Sequence, residues 1–242
     1  MKELLGIDLD ETVVYLLRSF LGYYNSKHGT NFSEEDFHTY QWGEVLGIPQ
    51  EQAYVEAEKY ILERIGADDS DVHLGSQQNG YFGIEFVEGA IPALDLLSRF
   101  YELHGITDRN LLLEPDTHNI SSYLYVEDGE EGSYFPQLPI PSDEGGMLIL
   151  PNDRIHYARA EGKAKSQVCR ELGITKLIED NADIALDCAR NGIDVFVLPR
   201  PWNRNMAEHH RVTRVNDWQE ICDKLVPGGY QLPDLADVPG YV

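Results

Sequence analysis

Apolar residues recur along the chain in two patterns, as short unbroken runs and as stripes with a helical period. Residues 4–7 form an apolar run that ends at Asp8 and predicts a buried strand. From residue 12 to about residue 28 the spacing predicts a helix. Further helices are predicted from Ser33, by its N-cap signature with Asp36, to about residue 46, and from Pro49 to about residue 65. Residues 66–85 are polar and rich in glycine, which is typical of a loop.

Beyond residue 87 the pattern alternates between helices and strands. Helices are predicted over 90–100, 163–172, 182–191 and 217–226, and strands over 101–107, 175–178 and 194–198. This alternation predicts an α/β fold with a Rossmann-like, mainly parallel sheet flanked by helices. Residues 1–12 and 88–226 then form the core domain, and residues 13–87 form a helical cap inserted after the first strand.

Two segments follow neither pattern. Between residues 110 and 152 the periodicity fails, and the segment is punctuated by Pro115, Pro136, Pro139 and Pro141. It predicts a loop-rich insertion within the core, with one helix near residues 117–126. Residues 227–242 are rich in proline and glycine and are predicted to be a C-terminal tail.

Polar residues follow the predicted strands at their carboxyl ends, which in parallel sheets carry the ligand site. Two carboxylates at positions i and i+2 just past a strand converge on one ligand if the chain bends there. The polar strand ends are Asp8 with Asp10, Thr107, Glu179 with Asp180, and Arg200 with Asn203. The sequence therefore predicts that a site forms where these ends meet.

One lysine is expected to join this site. Lys165 lies three and four residues before Val168 and Cys169, so it shares their core-facing stripe. A lysine in the first turn of a helix is unfavourable against the helix dipole, so a core-facing one indicates a buried anion as its partner. Lys163, two residues earlier, is on another face and is predicted to point to solvent.

The charge of the chain limits its partners. Its 242 residues carry 42 Asp and Glu against 19 Lys and Arg, a formal net charge of −23. Duplex nucleic acid and anionic membrane surfaces repel such a field, so neither is expected as a partner. The acid excess is compatible with plain solubility or with a high-salt habitat, and the sequence leaves the oligomeric state open.

The sequence has no pattern typical of a membrane-spanning helix or of a disulfide-bonded protein. No run approaches the ~18 apolar residues of a membrane-spanning helix. Three widely spaced cysteines, Cys169, Cys188 and Cys222, are interpreted as small buried thiols, which predicts a reducing, cytoplasmic location. The eight histidines show no metal-binding spacing, so zinc is not expected.

The sequence Asp8-x-Asp10-x-Thr12 after a strand resembles the first motif of the haloacid-dehalogenase-type phosphohydrolases. Thr107, Lys165 and the pair Glu179–Asp180 follow in the order of the remaining motifs. Residues 4–28, 88–109 and 155–226 are similar to the 5′(3′)-deoxyribonucleotidase-like branch of that superfamily. Two departures are Glu11, where that branch often has glycine, and Asp108, where serine commonly follows the threonine.

The resemblance implies a Mg²⁺-dependent phosphomonoesterase that forms an aspartyl-phosphate. It implies that Asp8 attacks phosphorus and that Asp10 protonates the leaving oxygen and then deprotonates water. Thr107 and Lys165 are implied to bind the transferring phosphoryl oxygens. The ion is implied to be held by Asp8, the Asp10 carbonyl and Asp180, with Glu179 beside these ligands. Oxygen ligands of this kind suit Mg²⁺.

The substrate is expected to be a small phosphorylated metabolite, with a nucleoside monophosphate as the first choice. Tyr40 and Trp42 are the preferred pair for stacking a base or sugar, since their polar neighbours indicate a partly exposed segment. Asp108 and Arg109, directly after Thr107, are assigned to substrate binding. Tyr23 and Tyr24 are further stacking candidates, although for any single one of these aromatic residues a place in the core of the cap is the simpler interpretation.

Two alternative functions are also compatible with the sequence. The letters DLDET are also typical of a polymerase-tail type of protein phosphatase, which would have an open site and act on phosphopeptides. From another class, the chain could be a non-catalytic descendant that binds a phosphate ligand or a protein, with residues 110–152 as its interface.

Overall fold

A computed structural model of the chain describes residues 2–66, 85–122, 124–127, 146–228 and 231–232. At its centre is a six-stranded sheet in the order β5-β2-β1-β6-β7-β8. All five pairings in this sheet are parallel. Its strands are β1 (Glu3–Ile7), β2 (Tyr101–Thr107), β5 (Ile155–Tyr157), β6 (Lys176–Glu179), β7 (Asp194–Val197) and β8 (Val212–Arg214). The predicted Rossmann-like α/β class is confirmed.

Helices cover both faces of this sheet. On one face α4 (Ala90–Phe100) and α8 (Trp218–Leu225) contribute to an apolar cluster with the side chains of β1. On the other, α6 (Lys165–Leu172) and α7 (Ala182–Arg190) pack against β6 and β7. The strands are buried on both faces, which is why they read in the sequence as unbroken apolar runs.

The predicted block after the first strand contains α1 (Leu16–His28), α2 (Trp42–Leu46) and α3 (Gln50–Gly66). Their apolar faces form a separate cluster, here called the α1–α3 cluster, whose most buried members include Leu17, Phe20 and Phe37. The helix predicted from Ser33 to residue 46 is wrong as a single element. Ser33 does cap a turn with Asp36, but this is a short 3₁₀ helix, Glu34–Asp36, separated from α2.

The chain enters and leaves this block at adjacent positions. The Tyr15 N–H donates to the Glu85 carbonyl at 2.8 Å, and the Val87 N–H donates to the Val13 carbonyl at 2.8 Å. Val14 and Phe86 form an antiparallel bridge between these hydrogen bonds. Two short antiparallel segments therefore connect the block to the sheet. The loop predicted over residues 66–85 falls, apart from its two ends, outside the described residues.

The segment predicted as a loop-rich insertion contains more regular structure than expected. Helix α5 (Glu114–Ser122) begins earlier than predicted, because Pro115 occupies its first turn, where no helical N–H is required. Strands β3 (Tyr125–Glu127) and β4 (Gly146–Leu148) pair antiparallel, apart from the main sheet. Residues 128–145 and most of the predicted tail lie outside the described part of the chain.

The two edge strands of the main sheet were not predicted. Both β5 and β8 have three residues, too few for a period to show in the sequence. The three cysteines are buried and carry free thiols, as predicted. Among the described helices, none combines the length and the apolar composition that crossing a membrane requires.

Candidate active site

Asp8 is the first residue after β1 and lies in the middle of the sheet, between the ends of β2 and β6. Its side chain is buried and accepts a hydrogen bond from the Lys165 Nζ at 2.5 Å. The same ammonium group donates to Glu179 Oε2 at 3.0 Å. The predicted anionic partner of Lys165 is therefore this pair of carboxylates, which the sheet brings together from β1 and β6. Lys163 is paired instead with exposed Glu161 and Glu171.

Three buried carboxylates form one group at this edge. One oxygen each of Asp8, Glu179 and Asp180 lies within 4.8 Å of the others. Both oxygens of Glu179 have partners, Lys165 and the Asn181 N–H. In contrast, Asp180 Oδ1 is buried and has no hydrogen-bond partner within the described part of the chain. An unpaired buried carboxylate oxygen is costly unless a cation approaches it, so the group fits a divalent ion.

Asp180 is free for this role because another residue caps the helix that follows. The Asn181 side chain accepts from the Asp183 N–H at 2.9 Å and the Ile184 N–H at 3.3 Å, which satisfies the first turn of α7. Asp183 itself is exposed. The N-cap of α7 is therefore Asn181, and Asp180 is not needed for capping.

The carboxylates hold protons more tightly than usual without an ion. Burial raises the pKa of Asp8 to about 8, and repulsion from Glu179 adds to the shift. For the same primary reason the pKa of Glu179 rises to about 7 and that of Asp180 to about 8. Burial works against charge on Lys165, but Asp8, Glu179 and Asp108 outweigh it and raise the lysine pKa. One ammonium group is insufficient for three carboxylates, and a divalent cation would supply the missing charge.

Asp10, the second carboxylate of the Asp8-x-Asp10 motif, is bound by an arginine, whereas Asp8 is bound by a lysine. Asp10 is the more exposed of the two, and its Oδ1 accepts from Arg109 Nη2 at 2.6 Å. The Arg109 Nη1 donates to Asp116 Oδ2 at 2.9 Å on the other side. Arg109 was assigned to substrate binding, but the structure does not leave its guanidinium available, because two carboxylates already hold it and the residue is 5% exposed.

Thr107 and Asp108 come to the same edge from β2. Thr107 is fully buried at the end of the strand, and its hydroxyl oxygen accepts from the Arg109 N–H at 3.2 Å. Asp108 is exposed at the rim, near enough to Lys165 to affect its pKa. The structure thus brings the four predicted motifs to one edge of the sheet.

The chain bends sharply between the two motif aspartates and α1. Glu11 adopts a φ of +61°, a left-handed conformation that is uncommon for a residue with a side chain. Its buried carboxylate accepts from the Leu17 N–H, and its carbonyl accepts from Arg200 Nε at 2.9 Å. Glycine adopts this conformation without strain, and these contacts show how glutamate is accommodated in it.

Trp202 and Asn203, which follow β7 in the chain, hold Asp180 in place. Trp202 Nε1 donates to Asp180 Oδ2 at 2.8 Å, and Asn203 Nδ2 donates to the Asp180 carbonyl at 2.7 Å. Asn203 was among the polar strand ends predicted from the sequence, whereas the contact of Trp202 with Asp180 was not predicted. Pro201, which precedes Trp202 and starts a 3₁₀ turn, is a local sequence signal that the backbone of this loop is restrained.

Trp42 and Tyr40, the two residues preferred for stacking, lie in different surroundings. Trp42 is 7% exposed and stacks on Phe20, with ring centroids 5.5 Å apart, so it belongs to the α1–α3 cluster and is not available to a ligand. Tyr40 is partly buried and lies edge-on to Trp202 at 6.1 Å. Burial and then the charges of Asp180 and Asp8 raise the pKa of the Tyr40 hydroxyl, so it is near enough to these carboxylates to be affected by their charge.

The other two tyrosines do not reach the carboxylates. Tyr24 is buried in the α1–α3 cluster, where its ring is 5.4 Å from that of Phe20. The Tyr23 hydroxyl donates to Glu63 Oε1 at 3.0 Å, on α3. For three of the four aromatic residues considered from the sequence, packing among the helices explains their place.

The chain is similar to known proteins in its fold. No protein-family model matches the chain, and no curated protein matches it. Among solved structures, a HAD family hydrolase from Deinococcus radiodurans with bound phosphate and sodium is 12% identical, with a TM-score of 0.53 over 93% of this chain and 95% of that one. A HAD-hydrolase from Bacillus subtilis bound to magnesium is 9% identical, with a TM-score of 0.52 over 93% and 98%.

A predicted phosphatase from Clostridium acetobutylicum is similar to the same degree. It is 14% identical, with a TM-score of 0.50 over 93% of this chain and 99% of that one. At these identities the likeness establishes the fold, which is that of the HAD hydrolases. The chemistry must be inferred from the side chains of this chain.

Proposed function

We propose that this chain is a Mg²⁺-dependent phosphomonoesterase that works through an aspartyl-phosphate on Asp8. The observation that supports it most is the arrangement of Asp8, Lys165 and Asp180 at the carboxyl edge of the sheet. One carboxylate is bound to a buried lysine, and another turns an unpaired oxygen into the same small volume. The solved structures of similar fold include proteins holding phosphate, sodium or magnesium.

Asp8 and Asp180 are the residues we expect to bind the ion with their side chains, together with the Asp10 carbonyl. Glu179 is expected to remain beside them, since its oxygens are occupied by Lys165 and the Asn181 N–H. When bound, the ion supplies positive charge that offsets the repulsion between a carboxylate nucleophile and a phosphate dianion. Mg²⁺ fits because it needs few protein carboxylates and keeps several waters.

The proposed reaction has two steps that share one proton-transfer group. In the first, an Asp8 oxygen bonds to phosphorus while the bond from phosphorus to the leaving oxygen breaks, and Asp10 gives that oxygen a proton. In the second, Asp10 takes a proton from water as the water oxygen bonds to phosphorus. The bond from phosphorus to Asp8 then breaks, which releases inorganic phosphate and restores the carboxylate.

Lys165 and Thr107 complete the phosphoryl site. Lys165 keeps Asp8 aligned through its 2.5 Å hydrogen bond and also binds Glu179, and its third N–H can point at a phosphoryl oxygen. Thr107 ends the neighbouring strand at the same level. Both side chains are buried on rigid elements, so their positions are fixed before a substrate arrives.

The block containing α1 to α3 is proposed to act as the cap over this edge. Support comes from its paired connecting segments and from Tyr40, which approaches the carboxylates from that block. A covered site favours a small substrate over a phosphoprotein, so the protein-phosphatase alternative is less well supported. With Trp42 inside the α1–α3 cluster, stacking of a base rests on Tyr40 alone, and nucleoside monophosphates are the first compounds to test within a wider class of small phosphomonoesters.

The test is phosphate release by the purified chain from nucleotides, sugar phosphates and phosphopeptides, with and without Mg²⁺. We expect turnover of small esters only with the ion. Asp8→Asn should lower kcat by at least about 10⁴-fold, since it removes the nucleophile. Asp153→Asn, at an exposed position remote from the edge, is the matched control and should keep wild-type activity. Release only from phosphopeptides would favour the alternative phosphatase, and ligand binding without turnover would favour a non-catalytic descendant.

A further inference from the structure

Helix α5, within the predicted insertion over residues 110–152, touches the candidate site through one arginine. Arg109 Nη1 donates to Asp116 Oδ2 at 2.9 Å and to Thr117 Oγ1 at 3.3 Å, both on α5. On the opposite side, its Nη2 and Nε donate to Asp10. The guanidinium therefore bridges α5 and the proposed proton-transfer carboxylate.

This bridge is a buried structure with specific geometry. The side chains of Arg109 and Asp116 are each 2% exposed, whereas Asp10 is 17% exposed on its outer side. Burying an arginine is costly unless its planar donors are matched by acceptors, and here all three of its nitrogens donate. The backbone N–H of Arg109 also donates to Thr107 Oγ1, which fixes the arginine relative to the end of β2.

The two oxygens of Asp10 are held unequally. Oδ1 accepts from Nη2 at 2.6 Å and from Nε at 3.1 Å, while Oδ2 accepts from Nε alone at 3.0 Å. Oδ1 is thus the anchored oxygen, and Oδ2 retains room for a proton. Asp116 also balances the charge of the guanidinium, so that the bridge orients Asp10 without leaving a net positive charge beside it.

We propose that Arg109 is a positioning residue that aims Oδ2 of Asp10 at the leaving oxygen of the substrate, and that α5 fixes Arg109 through Asp116. The inference rests on the proposed phosphomonoesterase function. It gives α5 a role in the reaction although none of its side chains would touch the substrate. Orientation of a proton donor matters because a displacement of about 1 Å can cost about 100-fold in rate.

Two aryl esters that differ by one nitro group separate this role from the alternatives. The proton from Asp10 matters for phenyl phosphate, because phenolate is a strong base with a conjugate-acid pKa of about 10, as in tyrosine. It matters much less for p-nitrophenyl phosphate, whose leaving group departs readily as the anion. The ratio of kcat/KM for the two esters therefore reports the alignment of Asp10, since kcat/KM covers the steps up to release of the phenol.

The variants are Arg109→Met and Asp116→Asn, with Arg211→Met as the matched control. Arg211 pairs with Asp194 at the amino ends of β8 and β7, opposite the edge that carries Asp10, so its replacement removes an arginine and an ion pair away from the site. Asp116→Asn keeps the shape of the side chain and serves if Arg109→Met does not fold, which thermal unfolding would show. For both bridge variants we expect kcat/KM to fall about 100-fold on phenyl phosphate and less than about tenfold on p-nitrophenyl phosphate.

An equal fall on both esters would overturn the inference, because loss of phosphate binding or general distortion affects the two alike. An unchanged kcat/KM in both bridge variants would overturn it as well. If the wild-type chain hydrolyses neither these esters nor any compound of the nucleotide and sugar-phosphate panel, the proposed function itself fails, and the inference falls with it. The control should retain the wild-type ratio.

Discussion

The strand-end site and the α1–α3 cluster are both buried, yet for opposite physical reasons. The cluster contains fully buried Leu17, Phe20 and Phe37, whose removal from water is itself stabilising. The site contains Asp8, Glu179 and Asp180 around a single lysine, and burying such groups is costly. A fold keeps an arrangement of the second kind only where something other than stability selects it. This difference supports the proposal that the strand ends are the functional region.

The two regions meet at one short segment. Tyr40 and Trp42 are two residues apart, but Trp42 stacks within the α1–α3 cluster while the Tyr40 hydroxyl is near enough to the carboxylates to be affected by their charge. Trp202 joins them from the core, because it contacts Tyr40 and donates to Asp180. Trp202 therefore links the α1–α3 cluster to Asp180.

After replacement of Asp8, the largest effect that should separate the regions is expected from replacement of Lys165. Lys165→Met removes the only ammonium group that binds Asp8 and Glu179 among the described residues. We expect kcat for phosphate release to fall about 10²–10³-fold, as for loss of a preorganised donor to the transition state. Activity of the purified variant on the best small ester measures this.

Lys163→Met is the matched control, since Lys163 lies two residues away and pairs with exposed glutamates. It should change kcat by less than about twofold, because surface ion pairs contribute little. Similar losses in both variants would mean that the effect comes from distortion of α6, not from the site.

Sequence reasoning was most reliable where burial imposes a simple pattern. Strand β2 was predicted at its exact bounds, and β1, β6 and β7 within a residue or two, because strands covered on both faces are continuously apolar. Lys165 could be distinguished from Lys163 because only one of them shares the stripe of Val168. Edge strands β5 and β8 were missed, since three residues carry no period.

Other parts of the site could not be predicted because they depend on contacts between distant elements. The bridge from Asp10 through Arg109 to Asp116 joins three elements, and no local spacing encodes which carboxylates an arginine will meet. The separation of Tyr40 from Trp42 has the same origin. Both have polar neighbours in the sequence, and only the non-helical turn between the 3₁₀ helix and α2 decides which ring faces inward.

A second, smaller contrast is expected between those two aromatic residues. Trp42→Ala should lower the free energy of unfolding by about 3–5 kcal/mol, which corresponds to a fall in Tm of roughly 10 °C for a chain of this size. Tyr40→Phe should change Tm by less than about 2 °C and raise KM about fivefold, as for one lost hydrogen bond of about 1 kcal/mol. Thermal unfolding and steady-state kinetics on both variants decide this. If Tyr40→Phe left KM unchanged, the Tyr40 hydroxyl would make no hydrogen bond to the substrate.

The last contrast concerns Tm. We expect the strand-end site to make Tm depend on pH and on Mg²⁺, and we expect the α1–α3 cluster to have no such effect. Burial raises the pKa of Asp8 and Asp180 to about 8 and of Glu179 to about 7. Because the folded chain then binds more protons than the unfolded chain, the stability these groups contribute is greatest below their ordinary carboxyl values and is lost as pH rises through about 7–8. With a chelator present, Tm should therefore fall between about pH 5 and about pH 8.

Added Mg²⁺ should reverse that fall, since it binds the ionised carboxylates and takes the place of their protons. At a concentration about 100 times its dissociation constant, the ion should raise Tm by about 5–10 °C near pH 8 and by much less near pH 6. Asp180→Asn removes one ligand charge and should abolish most of the Mg²⁺ shift, whereas Trp42→Ala should lower Tm yet retain the shift in full. A Mg²⁺ shift that is equal at both pH values, or that survives Asp180→Asn, would place the ion elsewhere and remove the physical reason for burying three carboxylates around one lysine.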